Sequence, residues 1–455
     1  MINRFSVIIL MALSVFSLTS CLSSDDDEIT YYNDTAITSF TLGTLNRKLT
    51  TTASDGSDST YTTTYSGSST VFYINQIDHT VYNPDSLPQG VDASKVVCTI
   101  GTKNGGVVVL VLKNQAGEDS LAYYSSSDSI DFTSPVTARV YNNYGTEYST
   151  YTIHVNVHQQ TGDEISWGYT SNDELAEVGN RRLVSLGDTV FLFGVKDDAT
   201  VIYQMNSSTW TSLSSNINLD ADAYKNVVTK DGYLYVLSDG VIYRSSDGAT
   251  WESTGTASAL NQLIGGSPLR LYALGTAGIY YSSDNGTTWT LDSLDDETSL
   301  LPSDNINFVC KKHRVNEDTY KLILIGSSDG STVVWSKLEQ EDEAAEEQPW
   351  SYYTVDRTYG VLPDWTYLQA IAYNDGLLAL GGDFSTFYDS EDEGLVWTSD
   401  SIYDLPTEFG LTESEFGMTS TEGHVIYISK ANDSKVWSGQ LARTAWATEQ
   451  QSFVK

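Results

Sequence analysis

The sequence predicts an all-β protein of two globular parts, a β-sandwich followed by a β-propeller, on three observations. Tyr (30) and Gly (34) are plentiful, with many Thr and Ser, while Pro (8) and Met (4) are scarce, a composition that favours strands joined by tight turns. Short alternating or β-branched runs bounded by Gly, Asn, Asp and Ser recur from Ala36 to about Gln160. Beyond Gly162 a unit of polar turn, apolar strand, second turn and Trp-bearing strand repeats at a period of roughly 40 to 60 residues, the range of four-stranded propeller blades. A chain of 455 residues has room for two domains with substantial cores.

From the N-terminus, Arg4 and the apolar run Phe5 to Leu18 read as a signal peptide over residues 1–20, the run being shorter than the roughly 20 residues a membrane-spanning helix needs. Cleavage would leave Cys21 first. Leu18-Thr19-Ser20-Cys21 resembles the bacterial lipobox, which implies lipidation at Cys21 and stable anchoring by several acyl chains. Asp25-Asp26-Asp27-Glu28 resembles the surface-export signal of Bacteroidota lipoproteins and implies an outer-membrane location facing the cell exterior. Residues 21–35 are polar and acidic and read as a tether.

Residues 36–160 hold strand-like runs at Ile37–Leu42, Val71–Ile74, Val107–Leu112 and Thr152–Val157. The opening Ile37-Thr38-Ser39-Phe40, the stretch Leu87-Pro88-Gln89-Gly90-Val91-Asp92 and the closing Tyr151-Thr152-Ile153-His154-Val155 resemble the Ig-like modules of Bacteroidota surface lipoproteins. That resemblance implies an Ig-like β-sandwich. The Ser/Thr/Asp-rich segment around Thr50 to Thr64 reads as a mobile loop or a hairpin.

Residues 163–455 carry the repeat. Its clearest units run from Lys230 to Trp251 and from Leu269 to Trp289. Degenerate copies are Val190–Gly194 with Trp210, Leu322–Gly326 with Trp335 and Trp350, Leu377–Gly381 with Trp397, and Val425–Ser429 with Trp437 and Trp446. This predicts six blades, or seven if Ile165-Ser166-Trp167-Gly168-Tyr169 belongs to a further incomplete unit; that segment could instead complete the last blade from the N-terminal side. Closure into a ring is expected because a linear stack would expose both end sheets.

Ser282-Ser283-Asp284-Asn285-Gly286-Thr287-Thr288-Trp289 matches Ser-x-Asp-x-Gly-x-Thr-Trp in full, and Ser245 to Trp251 repeats it one residue short. Thr398-Ser399-Asp400-Ser401 is at most a remnant. These motifs resemble the Asp boxes (BNR repeats) of sialidase-like propellers. The spacing suits a structural turn formed by Ser245, Asp247, Gly248, Thr250 and Trp251, and by Ser282, Asp284, Gly286, Thr288 and Trp289. In each, the Asp carboxylate accepts backbone N–H bonds, Gly takes positive φ and Trp buries its ring.

The resemblance raises the question of sialidase chemistry, which needs an arginine clamp for a carboxylate, a Tyr activated by Glu, and an acid/base Asp. Only Arg181, Arg182, Arg244, Arg270, Arg314, Arg357 and Arg443 are available in the repeat region, and the family's Arg-Ile-Pro element is missing. These arginines read as surface charges or carboxylate partners. His154 and His158 stand four apart on a strand, too far to share a metal, and His79, His313 and His424 are isolated. No Gly-x-Ser-x-Gly, Walker loop, His-Glu-x-x-His or Cys-x-x-Cys occurs. No catalytic residue is assigned.

With 24 Lys plus Arg against 60 Asp plus Glu the formal charge is −36, which argues against nucleic acid as a partner. Solubility accounts for the acidity; weak calcium binding by acidic loops is the alternative, although no Asp-x-Asp-x-Asp-Gly loop with a closing Glu occurs. No cofactor or metal is expected otherwise. Cys98 and Cys310 read as buried free thiols. The acidic run Glu339 to Glu347 reads as a solvated inter-strand loop. Tyr169, Tyr224, Tyr352, Tyr353, Trp365 and Tyr367 fall near unit boundaries, where they could stack on sugar rings. The sequence thus favours a surface lipoprotein that recognises extracellular glycan or protein through the propeller without catalysis. The alternatives are a glycoside hydrolase of sialidase-like fold and a structural accessory subunit of an outer-membrane complex.

Overall fold

The computed structural model describes residues 32–52, 58–113, 117–313, 316, 318–342, 347–353 and 360–444. Residues 1–20, expected to be a signal peptide, Cys21, most of the segment expected to be a tether, Arg314, Arg357 and Trp446 lie outside them. The chain divides into two compact units, Met1–Gln159 and Gln160–Lys455.

In the first unit a three-stranded sheet (Ile37–Leu42, Val96–Thr102, Ser129–Ile130) and a six-stranded sheet share one core. Along Val96–Thr102 the inward positions Val96, Cys98 and Ile100 alternate with exposed ones, so one face of the strand is committed to that core. Ile37, Phe40, Val81, Leu110, Ala138, Val140 and Ile153 complete it. Thr80–Tyr82 runs parallel to Tyr148–Ile153 while the other pairings are antiparallel. The segment around Thr50 to Thr64 is a hairpin, paired from Thr44↔Ser66 to Thr52↔Asp58.

Two expected strands are shifted. The run from Val71 becomes a strand at Tyr73–Asn75, after a tight turn at Gly67–Ser69. The closing strand is Tyr148–Ile153 and ends before Val157, because Asn83 captures the chain: Asn156 N–H donates to Asn83 Oδ1 at 2.7 Å and Asn156 Nδ2 donates to the Asn83 carbonyl at 3.0 Å. Side-chain bonds there replace ladder bonds. His154 and His158 consequently stand beyond the strand.

Among the described residues the second unit contains six four-stranded antiparallel sheets, I to VI. Their inner strands are Arg181–Leu186, Val227–Lys230, Leu260–Gly266, Asp304–Lys312, Leu368–Tyr373 and Phe416–Ser420, each packed on the next, and that of sheet I packs on that of sheet VI. The ring therefore closes, as a β-propeller requires. Ile165–Ser171 forms the fourth strand of sheet VI, pairing with Lys435–Leu441 from Ile165↔Leu441 to Ser171↔Lys435. The N-terminal strand of the unit thus completes the last sheet, and the ring is held shut by a ladder in place of two open edges.

Two further devices join sheets I and VI. A Cβ at Gly417 would stand 2.7 Å from Leu183 N, so only glycine allows the inner strands this approach. Arg181, 2% exposed, donates to the carbonyls of Gly179, Leu175, Val178 and Asp433 and to Ser429 Oγ. It reads as a latch between the first and last sheets, not as a surface charge.

Candidate functional site

The inner strands enclose an axial cavity of about 1030 Å³, at the upper end of the roughly 300–1000 Å³ usual for small-molecule sites. Its wall carries Arg182, Lys230, Lys311 and Lys312 against Asp231, Asp375 and Glu422, four cations to three carboxylates where the whole chain has 24 to 60. The wall is thus far less acidic than the protein. Several of these charges are already engaged: Lys230 pairs with Asp231, and Lys311 donates to the Asp375 carbonyl.

A polar cluster sits outside the cavity lining, in the connections that lead into three of the inner strands. Asn180, Tyr224 and Glu415 precede the inner strands of sheets I, II and VI. Tyr224 donates its hydroxyl hydrogen to Glu415 Oε1 at 3.2 Å and accepts from Asn180 Nδ2 at 3.3 Å. Burial pushes the Tyr224 phenol up to about 12, with the Glu415 charge adding to it, and burial also raises the Glu415 carboxyl. Arg182 lines the wall beside them and donates from Nη1 to the Lys225 carbonyl at 3.3 Å. A phenol with so high a pKa is a poor nucleophile at neutral pH, since activation requires the opposite shift.

A second tyrosine–glutamate pair is sealed away between sheets III and IV. Tyr272 is 0% exposed and donates to Oε1 of Glu339, which is 3% exposed, at 2.6 Å. Beside it Lys337 bonds both oxygens of Asp292 at 2.8 Å, Trp350 Nε1 donates to Asp292 Oδ2 at 3.0 Å, and Arg270 holds Glu347. The acidic run expected to be a solvated loop is therefore partly interior: Glu339 lies on the strand Ser331–Gln340, and Glu347 pairs with Arg270 and Lys337. Glu339 is interior, beside Tyr272 and Arg270, whereas Glu347 stays half exposed while pairing with Arg270 and the buried Lys337, contacts that local charge density does not reveal. The Arg270 hydrogen bond, helped by Lys337, holds the Glu347 carboxyl down to about 2 despite partial burial.

The two motif turns are closed by hydrogen bonds from their own backbone and side chains. Asp247 Oδ1 accepts from the backbone of Thr250 (2.7 Å) and Ala249 (2.9 Å) and from Ser245 Oγ, and Ser245 Oγ accepts from Gly248 N. Asp284 accepts from Thr288 N (2.8 Å), Thr288 Oγ1 (2.6 Å) and Ser282 Oγ (2.8 Å). Gly248 and Gly286 have φ of 74° and 91°, and the Trp251 and Trp289 indoles donate to their carbonyls.

A third such turn escaped the sequence reading. Ser390-Glu391-Asp392-Glu393-Gly394-Leu395-Val396-Trp397 makes the same bonds, with Val396 N donating to Asp392 Oδ1 at 2.8 Å and Trp397 Nε1 to the Gly394 carbonyl at 3.0 Å. The Ser-x-Asp-x-Gly-x-x-Trp spacing was the available signal; Val in place of Thr hid it, although that position contributes only its backbone N–H here. Thr398–Asp400 is the strand that follows.

Each of these glycines abuts the preceding sheet: Gly248 meets Phe191 and Leu213, Gly286 meets Ile242, and Gly394 meets Val334. The turns therefore staple neighbouring sheets. Replacing Asp284 or Asp392 with alanine is expected to cost about 1–2 kcal/mol each, read as a melting-temperature drop of roughly 2–8 °C. Backbone bonds from Thr250 hold the Asp247 carboxyl down to about 2, so this contribution is complete above the ordinary aspartate value of about 3.9 and is lost as pH falls through about 2. Acid titration of wild type against Asp247→Asn, which cannot titrate, checks this.

The six boundary aromatics do not converge. Tyr169 packs on Trp437 at 4.9 Å beneath Lys435, Tyr352 meets Trp335, Tyr353 bonds Ser336 and Lys321, Trp365 covers Gly381, Tyr367 covers Gly382, and none lines the cavity. Tyr320 and Tyr373 line it instead. Cys98 and Cys310 are free thiols, both pushed up to about 12 by burial. Among the described residues no group of three or more His, Cys, Asp and Glu is placed to hold a metal, and no helix is long and apolar enough to cross a membrane.

No curated protein matches the chain in sequence. Among solved structures, virginiamycin B lyase from Staphylococcus aureus is similar at 11% identity and a TM-score of 0.36, over 61% of this chain and 100% of that one. The NanB sialidase from Streptococcus pneumoniae is similar at 10% identity and a TM-score of 0.31, over 77% of this chain and 67% of that one. Residues 40–155 match the family model of the DUF6242 N-terminal domain, a domain of unknown function, and residues 161–449 match that of the DUF6242 beta propeller domain; the chain belongs to the DUF6242 family.

Proposed function

We propose that this protein is a lipid-anchored outer-membrane lipoprotein in which an Ig-like sandwich acts as spacer and a six-bladed propeller recognises extracellular glycan or protein without chemical turnover. The observation that carries the reading is the axial cavity, a polar concavity fixed by six inner strands and open to ligand. Lipidation at Cys21 and export signalled by the acids behind it rest on the sequence motif. The three Ser-x-Asp turns serve as structural Asp boxes.

A hydrolase is the second reading, and Tyr224 with Glu415 near Arg182 is the arrangement that favours it. The high phenol pKa weighs against that pair, and the other tyrosine–glutamate pair is shut off from any substrate. Glycan-array and pull-down screens with the mature protein are expected to return a ligand that is recovered intact. Blank screens together with cleavage of a glycoside substrate would reverse the assignment, and co-purification with a membrane partner alone would favour an accessory-subunit role.

A further inference from the structure

Arg182 differs from the other described arginines of the ring. Arg181 makes five hydrogen bonds, Arg244 pairs with Glu252, Arg270 with Glu347, and Arg443 with Asp163. Arg182 has one bond, from Nη1 to the Lys225 carbonyl at 3.3 Å, and no ion pair. In a chain with 60 carboxylates, this guanidinium stands in the cavity wall without one.

The geometry of what is left matters. A guanidinium has five N–H donors in a planar fork, and a bond from Nη1 leaves the Nε–Nη2 edge unused. That edge is the one that grips two oxygens of a single anion side-on. Gln369 lines the same cavity and, like Arg182, is the second residue of its inner strand; its side-chain amide has no hydrogen-bond partner either. Glu415, on the connection at the same end, lies outside the lining and accepts from Tyr224, and the lining carboxylates Asp231, Asp375 and Glu422 follow the ends of their inner strands and so face the opposite mouth. An uncompensated charge held among protein atoms is costly, and an oxyanion ligand removes that cost.

We propose that the axial cavity is a binding site for an oxyanion-bearing sugar, a carboxylate or sulfate ester gripped by the Nε–Nη2 edge of Arg182, with Gln369 bonding a neighbouring oxygen. This rests on the reading of the propeller as a recognition domain and narrows its ligand. Because the protein as a whole is strongly negative, long-range attraction does not assist approach, and selectivity arises at contact.

Saturation-transfer NMR on the mature protein tests this with glucuronate against glucose, and N-acetylglucosamine 6-sulfate against N-acetylglucosamine. Wild type is expected to bind at least one anionic sugar roughly tenfold or more tightly than its neutral counterpart, and which pair shows the difference tells carboxylate from sulfate. Arg182→Gln should abolish the difference without altering the melting temperature. Arg182→Lys, which keeps the charge and loses the fork, should retain only part of it, and serves as the readout if the glutamine variant folds poorly. Equal binding of anionic and neutral sugars by wild type, no binding of either anion, or full retention by the variants would overturn the proposal. A glycan or protein captured equally by wild type and Arg182→Gln would also overturn it while leaving the recognition role standing.

Discussion

Replacing Arg181 with methionine is expected to lower the melting temperature of the propeller by roughly 6–20 °C, from a loss of about 3–5 kcal/mol. Methionine replaces the unbranched stem of the side chain but is shorter and donates nothing. The Gly179 and Asp433 carbonyls and the Ser429 hydroxyl lose the guanidinium as donor, the Leu175 and Val178 carbonyls keep only their backbone donors Val178 and Asn432, and each stranded buried acceptor carries a desolvation cost. Arg181→Lys should recover less than half, because an ammonium has three donors and cannot span a fan that needs a planar fork. The loss should fall on ring closure, since Ser429 and Asp433 belong to sheet VI and its connecting turn while Arg181 opens sheet I. Hydrogen exchange should then show Ile165–Ser171 and Lys435–Leu441 opening first. A variant with wild-type melting and exchange would remove the latch from this account.

The pair Lys337–Asp292 should produce the second large effect. Their side chains are 0% and 2% exposed, both Asp292 oxygens accept from Nζ at 2.8 Å, and Trp350 Nε1 and Ser293 N supply further bonds. Lys337→Met strands a buried carboxylate, and Asp292→Asn leaves a buried ammonium with a poorer partner; each is expected to cost about 3–5 kcal/mol. The double variant should cost clearly less than the sum, a coupling that thermal melts of the four proteins in a double-mutant cycle would measure. Strict additivity would show that the two groups act independently. Glu347, partnered by Lys337 and Arg270, adds an acid signature. Its folded pKa near 2 lies below the ordinary glutamate value of about 4.3, so its stabilisation is present above that value and is lost as pH falls toward 2.

Local features were legible in the chain. The Ser-x-Asp-x-Gly turns close within a few residues, so their spacing alone brings carboxylate, hydroxyl and glycine together, and Asp247 and Asp284 each accept a backbone N–H inside the turn. The strand Val96–Thr102, whose burial alternates residue by residue, was not among the runs read from the chain. The third turn at Asp392 is equally local, but Val396 stands where the motif has Thr, and its backbone N–H alone makes the bond. Glu339 was misread for a different reason: charge density suggests solvent, whereas its burial is decided by Tyr272 and Arg270 on another sheet.

Arg181 and Arg182 mark the boundary between what the chain states by itself and what folding decides. The sequence by itself determined the β class, the repeat, the turn chemistry and the acidic balance, because each depends on composition or on residues a few positions apart. It also presented two adjacent arginines as equivalent. Tertiary structure separated them, since successive residues of a strand point to opposite sides. One was drawn into a network with residues 248 and 252 positions away and became the latch of the ring. The other was left in the cavity wall with its fork unused. The strand that closes sheet VI was settled in the same way, by a ladder between the two ends of the unit that no local periodicity encodes.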